Sequence, residues 1–484
     1  MVEAAEVAVL GGGPVGLWLA CELALAGTRV TVFERRAQRV VESRALTLHG
    51  RSLEMFASRG LADRFLAHGR SVPRMHYAAL NTQLDLTVFE TRYPFTQFLP
   101  QAITERLLEE RALELGVDLR RGHQVESIAQ HADEVRIEGH SAAGAFTCSA
   151  RYAVGADGAR SVVRRSADIA FDGYPASSTM MVADVALHAP PDNNALLTVN
   201  EAGAILVLPR GDGKYYRVGM LDASRRGASP AEPLLLPELA ESMARVGGRD
   251  FLPHDPLWLS RFTDETRLAR QFRKGRILLA GDAAHIQAPM GGQGLNVGLQ
   301  DAMNLGWKLA SVVRGSAPET LLDTYERERL AVASAFQDNT LAQLALFSHF
   351  DPPTLRLRQM LDEVLRFPDV NRRLAQDITG FGVNYPAPLD TAPDGWKHVD
   401  GVSGHRLRDL PVTLQDGTVT FACDLLKHGQ WVCLQLARDR VPLDNRHMAE
   451  IVNAVHGGDN FYPDLAALLV RPDGYVSHVC PSSR

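Results

Sequence analysis

Three glycines, two aspartates and one glutamate carry the chemistry that can be read in this chain. Gly11, Gly13 and Gly16 follow the apolar run Val7-Ala8-Val9-Leu10, with Pro14 and Val15 between the second and third glycine. The G-x-G-x-x-G spacing lets a backbone come close to a pyrophosphate. The helix that opens there offers unpaired N–H groups and a partial positive charge. Glu34 lies about 20 residues further on, where a carboxylate can accept from a ribose hydroxyl. A bare glycine triplet is weak evidence, but strand, helix, second strand and terminal acid in register point to a dinucleotide site.

Asp157 and Asp282 each close a further apolar run, Tyr152 to Ala156 and Ile277 to Gly281. Carboxylates at the carboxyl ends of parallel strands face the crevice where ligands bind. For Asp157, followed by Gly158, an ordinary turn is the competing account. The loop Pro289-Met290-Gly291-Gly292-Gln293-Gly294-Leu295-Asn296 opens another helix and so presents a second set of N–H groups and positive potential. A merely structural glycine turn is the alternative there. Arg44 is either a phosphate contact or a solvated arginine.

These residues need elements to hold them. Helices are predicted over Val15 to Ala26, Ser52 to Arg59, Ala102 to Leu115, Leu235 to Val246, Leu321 to Leu346 and Pro353 to Phe367. Leu295, Leu299, Ala302, Leu305, Leu309 and Val312 recur at spacings of three and four, giving another helix one apolar face. Strands are expected at Arg29 to Phe33, Met75 to Ala79, Leu84 to Phe89 and Val117 to Arg120. Further strands are expected at Gln124 to Ala129 and Glu134 to Glu138, with a hairpin loop over Gly139 to Ala145. From Phe171 the pattern turns β-rich: Met180 to Leu187, Ala204 to Leu208 and Tyr215 to Leu221, with a turn at Gly211-Asp212-Gly213. From Asn384, Pro, Gly and Asp mark a linker into a small α/β module with strands near Phe421 to Leu426, Trp431 to Ala437 and Leu468 to Val476.

Composition narrows the classes. A chain of 484 residues predicts two or three domains. A formal charge of −6 argues against a nucleic-acid partner. No apolar run approaches the roughly 18 residues of a membrane span. The start Met1-Val2-Glu3-Ala4-Ala5-Glu6 has no basic n-region, so a cytoplasmic protein is expected. The five cysteines are scattered without a C-x-x-C, so neither a metal site nor a disulfide framework is expected.

Three motifs in order give the chain a family resemblance. They are Gly11 to Glu34; Gly155-Ala156-Asp157-Gly158-Ala159-Arg160-Ser161; and Gly281-Asp282-Ala283-Ala284-His285 running through Gly291 to Asn296 and on to Asp301-Ala302-Met303-Asn304-Leu305-Gly306-Trp307-Lys308-Leu309-Ala310. Together they resemble the single-component FAD-dependent aromatic hydroxylases, whose archetype is 4-hydroxybenzoate hydroxylase. Ser43-Arg44-Ala45, Leu48-His49 and Arg51-Ser52 resemble a further motif of the bacterial polyketide hydroxylases and rifampicin monooxygenases.

The resemblance implies an α/β fold: a Rossmann-like FAD-binding domain (1–170 and 266–384), an inserted β-rich substrate domain (171–265, with pieces near 72–100) and a thioredoxin-like C-terminal domain (385–484). It implies that Gly11, Gly13 and Gly16, with Pro14, Val15 and Arg35 beside them, hold the FAD pyrophosphate and Glu34 the adenosine ribose. Arg44 and Gln101 would meet the ribityl-phosphate region, and Asp157 would serve both FAD and NADPH. Asp282 would hold the flavin-side ribityl or pyrophosphate. Pro289, Gly292, Gly294, Leu295 and Asn296 would line the isoalloxazine. NADPH and O₂ would be consumed through a C4a-hydroperoxide to hydroxylate a small aromatic substrate; Baeyer–Villiger oxidation, epoxidation or non-catalytic sequestration of an aromatic ligand are the alternatives. No catalytic side chain stands out, and His285 reads as a structural loop residue. Tyr215, Tyr216 and Arg217 are candidate substrate contacts, with plain strand positions as the rival account. No nucleic acid, membrane or metal is expected, and the chain is a monomer or homodimer. Ile103 replaces an arginine usual at that position in relatives, and the C-terminal module has no cysteine pair for dithiol chemistry.

Overall fold

The structure is a computed structural model that describes residues 3–39, 43–386, 395–436, 450–456, 462 and 464–482. Its centre is a sheet whose strands are apolar on both faces, as a parallel sheet covered by helices requires. Glu3–Leu10 is central. Val30–Glu34 and then Asp118–Arg121 lie on one side of it, Gly144–Gly155 and Ile277–Leu279 on the other, all parallel. Val7, Ala8 and Val9 are fully buried. Helix Pro14–Leu25 covers the sheet and packs against helices Gln101–Glu114 and Gly294–Val313. The first half of Gly144–Gly155 folds back on Val135–Ser141 as the hairpin read from the 139–145 glycines.

A five-stranded antiparallel sheet forms the β-rich part, in the spatial order Leu196–Asn200, Gly203–Pro209, Tyr215–Asp222, Thr179–Leu187, Pro253–Thr263. Alternation divides its faces. Met181, Ala183, Val185, Val218 and Met220 pack on helix Leu236–Gly247. Met180, Ala204 and Leu221 face Ala288, Met290, Leu344 and Phe347.

Three expectations change. Phe171–Tyr174 does not join this sheet: it pairs with Thr266–Ala269, which pairs with His285–Ile286, a strap back to the second glycine loop. The β pieces near 72–100 are short and pair locally, Arg74–Met75 with Leu84–Asp85, and Thr96–Phe98 with Thr47–Leu48 and Arg70–Val72. They pack mainly under the helices that follow Leu346. The helix expected from Pro353 to Phe367 stands at Pro352–Val364, and a second helix that was not expected, Pro368–Thr379, follows it, opened by Pro368, which lacks an N–H and suits a first turn.

The C-terminal module is a mixed six-stranded sheet in which Val432–Gln435 and Glu450–His456 run parallel. Of the expected linker, 387–394 lie outside the described residues, as does Ala437 of the expected Trp431 to Ala437 strand. Tyr385 is buried and takes a hydrogen bond from Arg329 at 3.0 Å. No helix among the described residues is long and apolar enough to cross a membrane.

Candidate functional site

The glycines of the first loop differ in what surrounds them. A Cβ on Gly11 would stand 2.2 Å from the carbonyl oxygen of Ala156, and one on Gly16 would stand 1.9 Å from that of Gly11. Those two positions therefore hold helix and strands in contact. A Cβ on Gly13 would meet nothing within 4 Å. The backbone there is open, on the side a pyrophosphate would take. No side chain caps the helix that begins at Pro14, so the N–H groups of its first turn are free to donate. Val15 lies beneath, filling the space beside Gly281 and Gly298. Glu34 Oε2 accepts from Gly12 N at 2.8 Å and Oε1 from Arg36 N at 2.9 Å, which fixes the carboxylate beside the loop; Arg35 is exposed.

The second loop is clasped from across the chain. Gly291 and Gly292 take φ of 65° and 63°. A Cβ on Gly292 would fall 2.2 Å from Thr47 Oγ1. Asn296 Oδ1 accepts from His49 N at 2.8 Å and Ser52 Oγ at 2.7 Å, and its Nδ2 donates to the carbonyls of Thr47 and Gly292 at 3.0 Å each. The His49 ring bridges Thr96 Oγ1 and the Gly291 carbonyl, both at 3.0 Å. Burial pushes the His49 pKa down to about 4, so the ring is neutral. Helix Gly294–Val313 also starts without a side-chain cap, and a Cβ on Gly294 would meet nothing within 4 Å. Leu295 is half-buried and Pro289 exposed at the same rim.

Asp282 lies between the two loops. Its side chain is accessible, yet the surrounding protein raises its carboxyl pKa, with His285 and Arg44 opposing. Both hold together when the carboxylate lines a recess inside the fold. Arg44 is exposed in the same field. Gln101 Oε1 accepts from Ala45 N at 3.1 Å, so Gln101 shapes the Arg44 loop. Asp301 braces the floor: it accepts from Gly281 N at 3.0 Å, from Arg329 Nε at 2.7 Å, and pairs with His285 Nε2 at 2.7 Å. His285 is thus held in place by Asp301. Ile103 is half-buried against the core.

Two expected site residues have other visible work. Asp157 abuts Gly11 through its backbone, but its carboxylate accepts from Val162 N at 2.7 Å and Val163 N at 3.2 Å, capping helix Val162–Ser166. Arg217 is buried. Its Nε meets Asp184 Oδ1 at 2.5 Å, and its Nη groups donate to the carbonyls of Arg44, at 2.8 Å, and Ser43. It ties the β sheet to the Arg44 loop. Tyr216 needs correcting as a substrate contact: strand alternation puts it on the helix face, where it bonds Asn194, while Tyr215 and Arg217 share the face toward the second glycine loop.

That face has an open lane. Leu197, Leu206, Gly219, Val182 and Ser260 are cross-strand partners in one row, and all are half-exposed. A Cβ on Gly219 would meet nothing within 4 Å. The rows on either side, Ala204 with Leu221 and Asp184 with Arg217, are buried. A cavity of about 590 Å³ lined by Thr28, Arg29, Asp118 and Cys148 lies at the opposite, amino-terminal end of the parallel strands. Ligands of such sheets bind at the carboxyl ends.

Sequence reasoning missed Thr47, His49, Ser52, Asp184, Asp301 and Arg329. His49, Ser52 and Asp301 lay inside the motifs named above, but their partners are distant in the chain: His49 meets a carbonyl 242 residues away.

Residues 4–340 match the family model of an FAD binding domain, and 400–484 that of the C-terminal domain of aromatic-ring hydroxylases. The chain is 39% identical over 480 residues to a Bacillus subtilis protein named as an uncharacterized aromatic compound monooxygenase, covering 99% of this chain and 95% of that one. It is 39% identical to a rifampicin monooxygenase of Streptomyces venezuelae, covering 97% and 94%. The solved structure of the anhydrotetracycline hydroxylase OxyS from Streptomyces rimosus superposes with a TM-score of 0.89 at 37% identity, covering 99% and 96%.

Proposed function

The chain belongs to the FAD-dependent aromatic-ring hydroxylases, and from that premise we propose that it uses NADPH and O₂ to hydroxylate a flat, fused-ring phenol. The residues fit FAD. Gly11, Gly13 and Gly16 with the helix from Pro14 would hold its pyrophosphate, Glu34 its adenosine ribose, and Asp282 and Arg44 the flavin-side chain. Bound there, the flavin supplies electron transfer and oxygen activation. The chain does the rest. The uncapped helix start at Gly294 would put positive potential where a reduced ring gathers negative charge. The Thr47, His49 and Asn296 clasp fixes that loop, and the sheet covers it from water.

One observation carries the substrate class: the half-exposed row over Gly219, flat and mostly apolar, which faces the second glycine loop. A strand glycine with no steric need for being glycine marks a close approach by something else. The test is NADPH oxidation by the FAD-loaded protein with tetracyclic phenols against monocyclic ones, with product analysis under labelled O₂. Stimulation by the tetracyclic set and one labelled hydroxyl on the ring are expected, with Gly219→Leu raising KM at least about tenfold while FAD binding stays intact. A lactone or epoxide would overturn hydroxylation. The absence of any ligand-stimulated NADPH oxidation would overturn the enzyme reading.

A further inference from the structure

One buried turn of the C-terminal sheet meets both helices that border the flavin site. In the 471–474 turn, the Asp473 carbonyl accepts from Arg51 Nη2 at 2.8 Å. The Asp473 carboxylate accepts from Trp307 Nε1 at 3.1 Å and lies 3.4 Å from Asn304 Nδ2. Arg471 holds that carboxylate at 2.6 Å and meets Glu328 at 2.8 Å. The Pro472 carbonyl accepts from Arg59 at 2.9 Å. All of these groups are buried.

Arg51 and Arg59 belong to the helix Gly50–Ala57 and its end; Asn304 and Trp307 belong to Gly294–Val313. These are the two helices whose starts clasp each other over the second glycine loop, Ser52 to Asn296 at 2.7 Å and His49 to Asn296 at 2.8 Å. Gly50–Ala57 is only eight residues long and buried throughout. Arg51, bonded to the turn, and Ser52, bonded to Asn296, are adjacent in it. A short helix has little stability of its own and takes its position from what packs on it.

We infer that the 471–474 turn is a positioning element for the flavin loop, setting the relative placement of these two helices. The C-terminal domain then acts on the cofactor through these two helices. This rests on the flavin-site reading above.

The test compares variants of the full chain by titrating apoprotein with FAD, by the visible flavin spectrum, and by hydrogen exchange of the 289–296 amides without cofactor. Arg51→Met is expected to weaken FAD binding about tenfold, the order of one charge-assisted hydrogen bond, with Arg51→Lys partly restoring it. It should also speed exchange in the loop and shift the flavin band. Trp307→Phe removes the link on the second helix with little change of shape and should move the same readouts in the same direction. Asp424→Asn is the control: it weakens the same domain interface at Arg92, where the Asp424 carboxylate bonds the guanidinium rather than either helix, and should leave FAD affinity within about twofold. Equal effects in Arg51→Met and Asp424→Asn, or normal FAD binding and loop exchange in both Arg51→Met and Trp307→Phe, would overturn the inference. Wild-type apoprotein that binds no FAD would instead overturn the site reading itself.

Discussion

At the scale of single residues, Gly13 and Gly16 differ in what an added side chain would meet. Gly16 faces a backbone oxygen 1.9 Å from where its Cβ would be, so nothing flexible can yield. Gly13 faces open space and has an ordinary φ of −80°. Gly16→Ala should therefore lower the melting temperature of the apoprotein, with a cost of about 1–3 kcal/mol or more. Gly13→Ala should leave the apoprotein melt unchanged and weaken FAD binding alone. Equal losses in both would show that the loop is not divided in this way. His49 makes a prediction in pH. Its folded pKa of about 4 lies below the ordinary value of 6.5. Between these values the unfolded chain binds a proton that the folded one does not, so stability falls as pH drops from 6.5 to 4 and is unaffected by this group above 6.5. The shift corresponds to a loss on the order of 3 kcal/mol. Denaturant titration across that window should show a shallower slope in His49→Gln than in the wild type.

At the scale of elements, the clasp between the Arg44 loop, the β sheet and the second glycine loop decides where the site is. Arg217→Met removes the link from Asp184 to the Ser43 and Arg44 carbonyls, leaving Asp184 with Trp258 at 2.9 Å and Arg210 at 3.3 Å. Because Asp184 keeps those partners, the cost is that of lost charge-assisted hydrogen bonds, about 1.5–3 kcal/mol. FAD affinity should drop with stability, because the Arg44 loop loses its anchor. If Arg217 were a substrate contact instead, FAD affinity would stay and substrate affinity alone would fall. The elements themselves were legible in the chain. Helices expected at Val15 to Ala26, Ala102 to Leu115 and Leu235 to Val246 stand at Pro14–Leu25, Gln101–Glu114 and Leu236–Gly247. Apolar periodicity is local and survives folding. Pairing between elements is not local. Nothing in Phe171–Tyr174 says that it pairs with Thr266–Ala269, and nothing near Thr47 says that its hydroxyl meets a carbonyl 245 residues on. The glycine loops could be read because each is one short run of sequence after a buried strand; the clasp could not, because it joins three separate segments.

At the scale of the whole molecule, the C-terminal sheet and the FAD-binding part share buried charges. Burial alone would raise the Glu328 carboxyl, but Arg471 and Lys308 hold it well below its usual range. Arg471 comes from the C-terminal sheet, Glu328 and Lys308 from the FAD-binding part, at 2.8 and 2.7 Å. Neither side can leave without stranding a charge, so unfolding one domain costs the other its partner. The wild-type apoprotein should therefore melt in one calorimetric transition that includes both sheets. Arg471→Met breaks the shared network and strands Asp473, at a cost of about 3–5 kcal/mol. It should split the melt into two transitions, the lower one accompanied by early loss of amide protection in Leu465–Val470 and Val476–Pro481. Added FAD should raise only the upper transition of the variant, since the ligand stabilises the part that binds it, by about 2.7 kcal/mol at a hundredfold excess over Kd. In the wild type the same addition should raise the whole transition. A variant that still melts once, at the wild-type temperature, would show that the buried charges do not couple the domains.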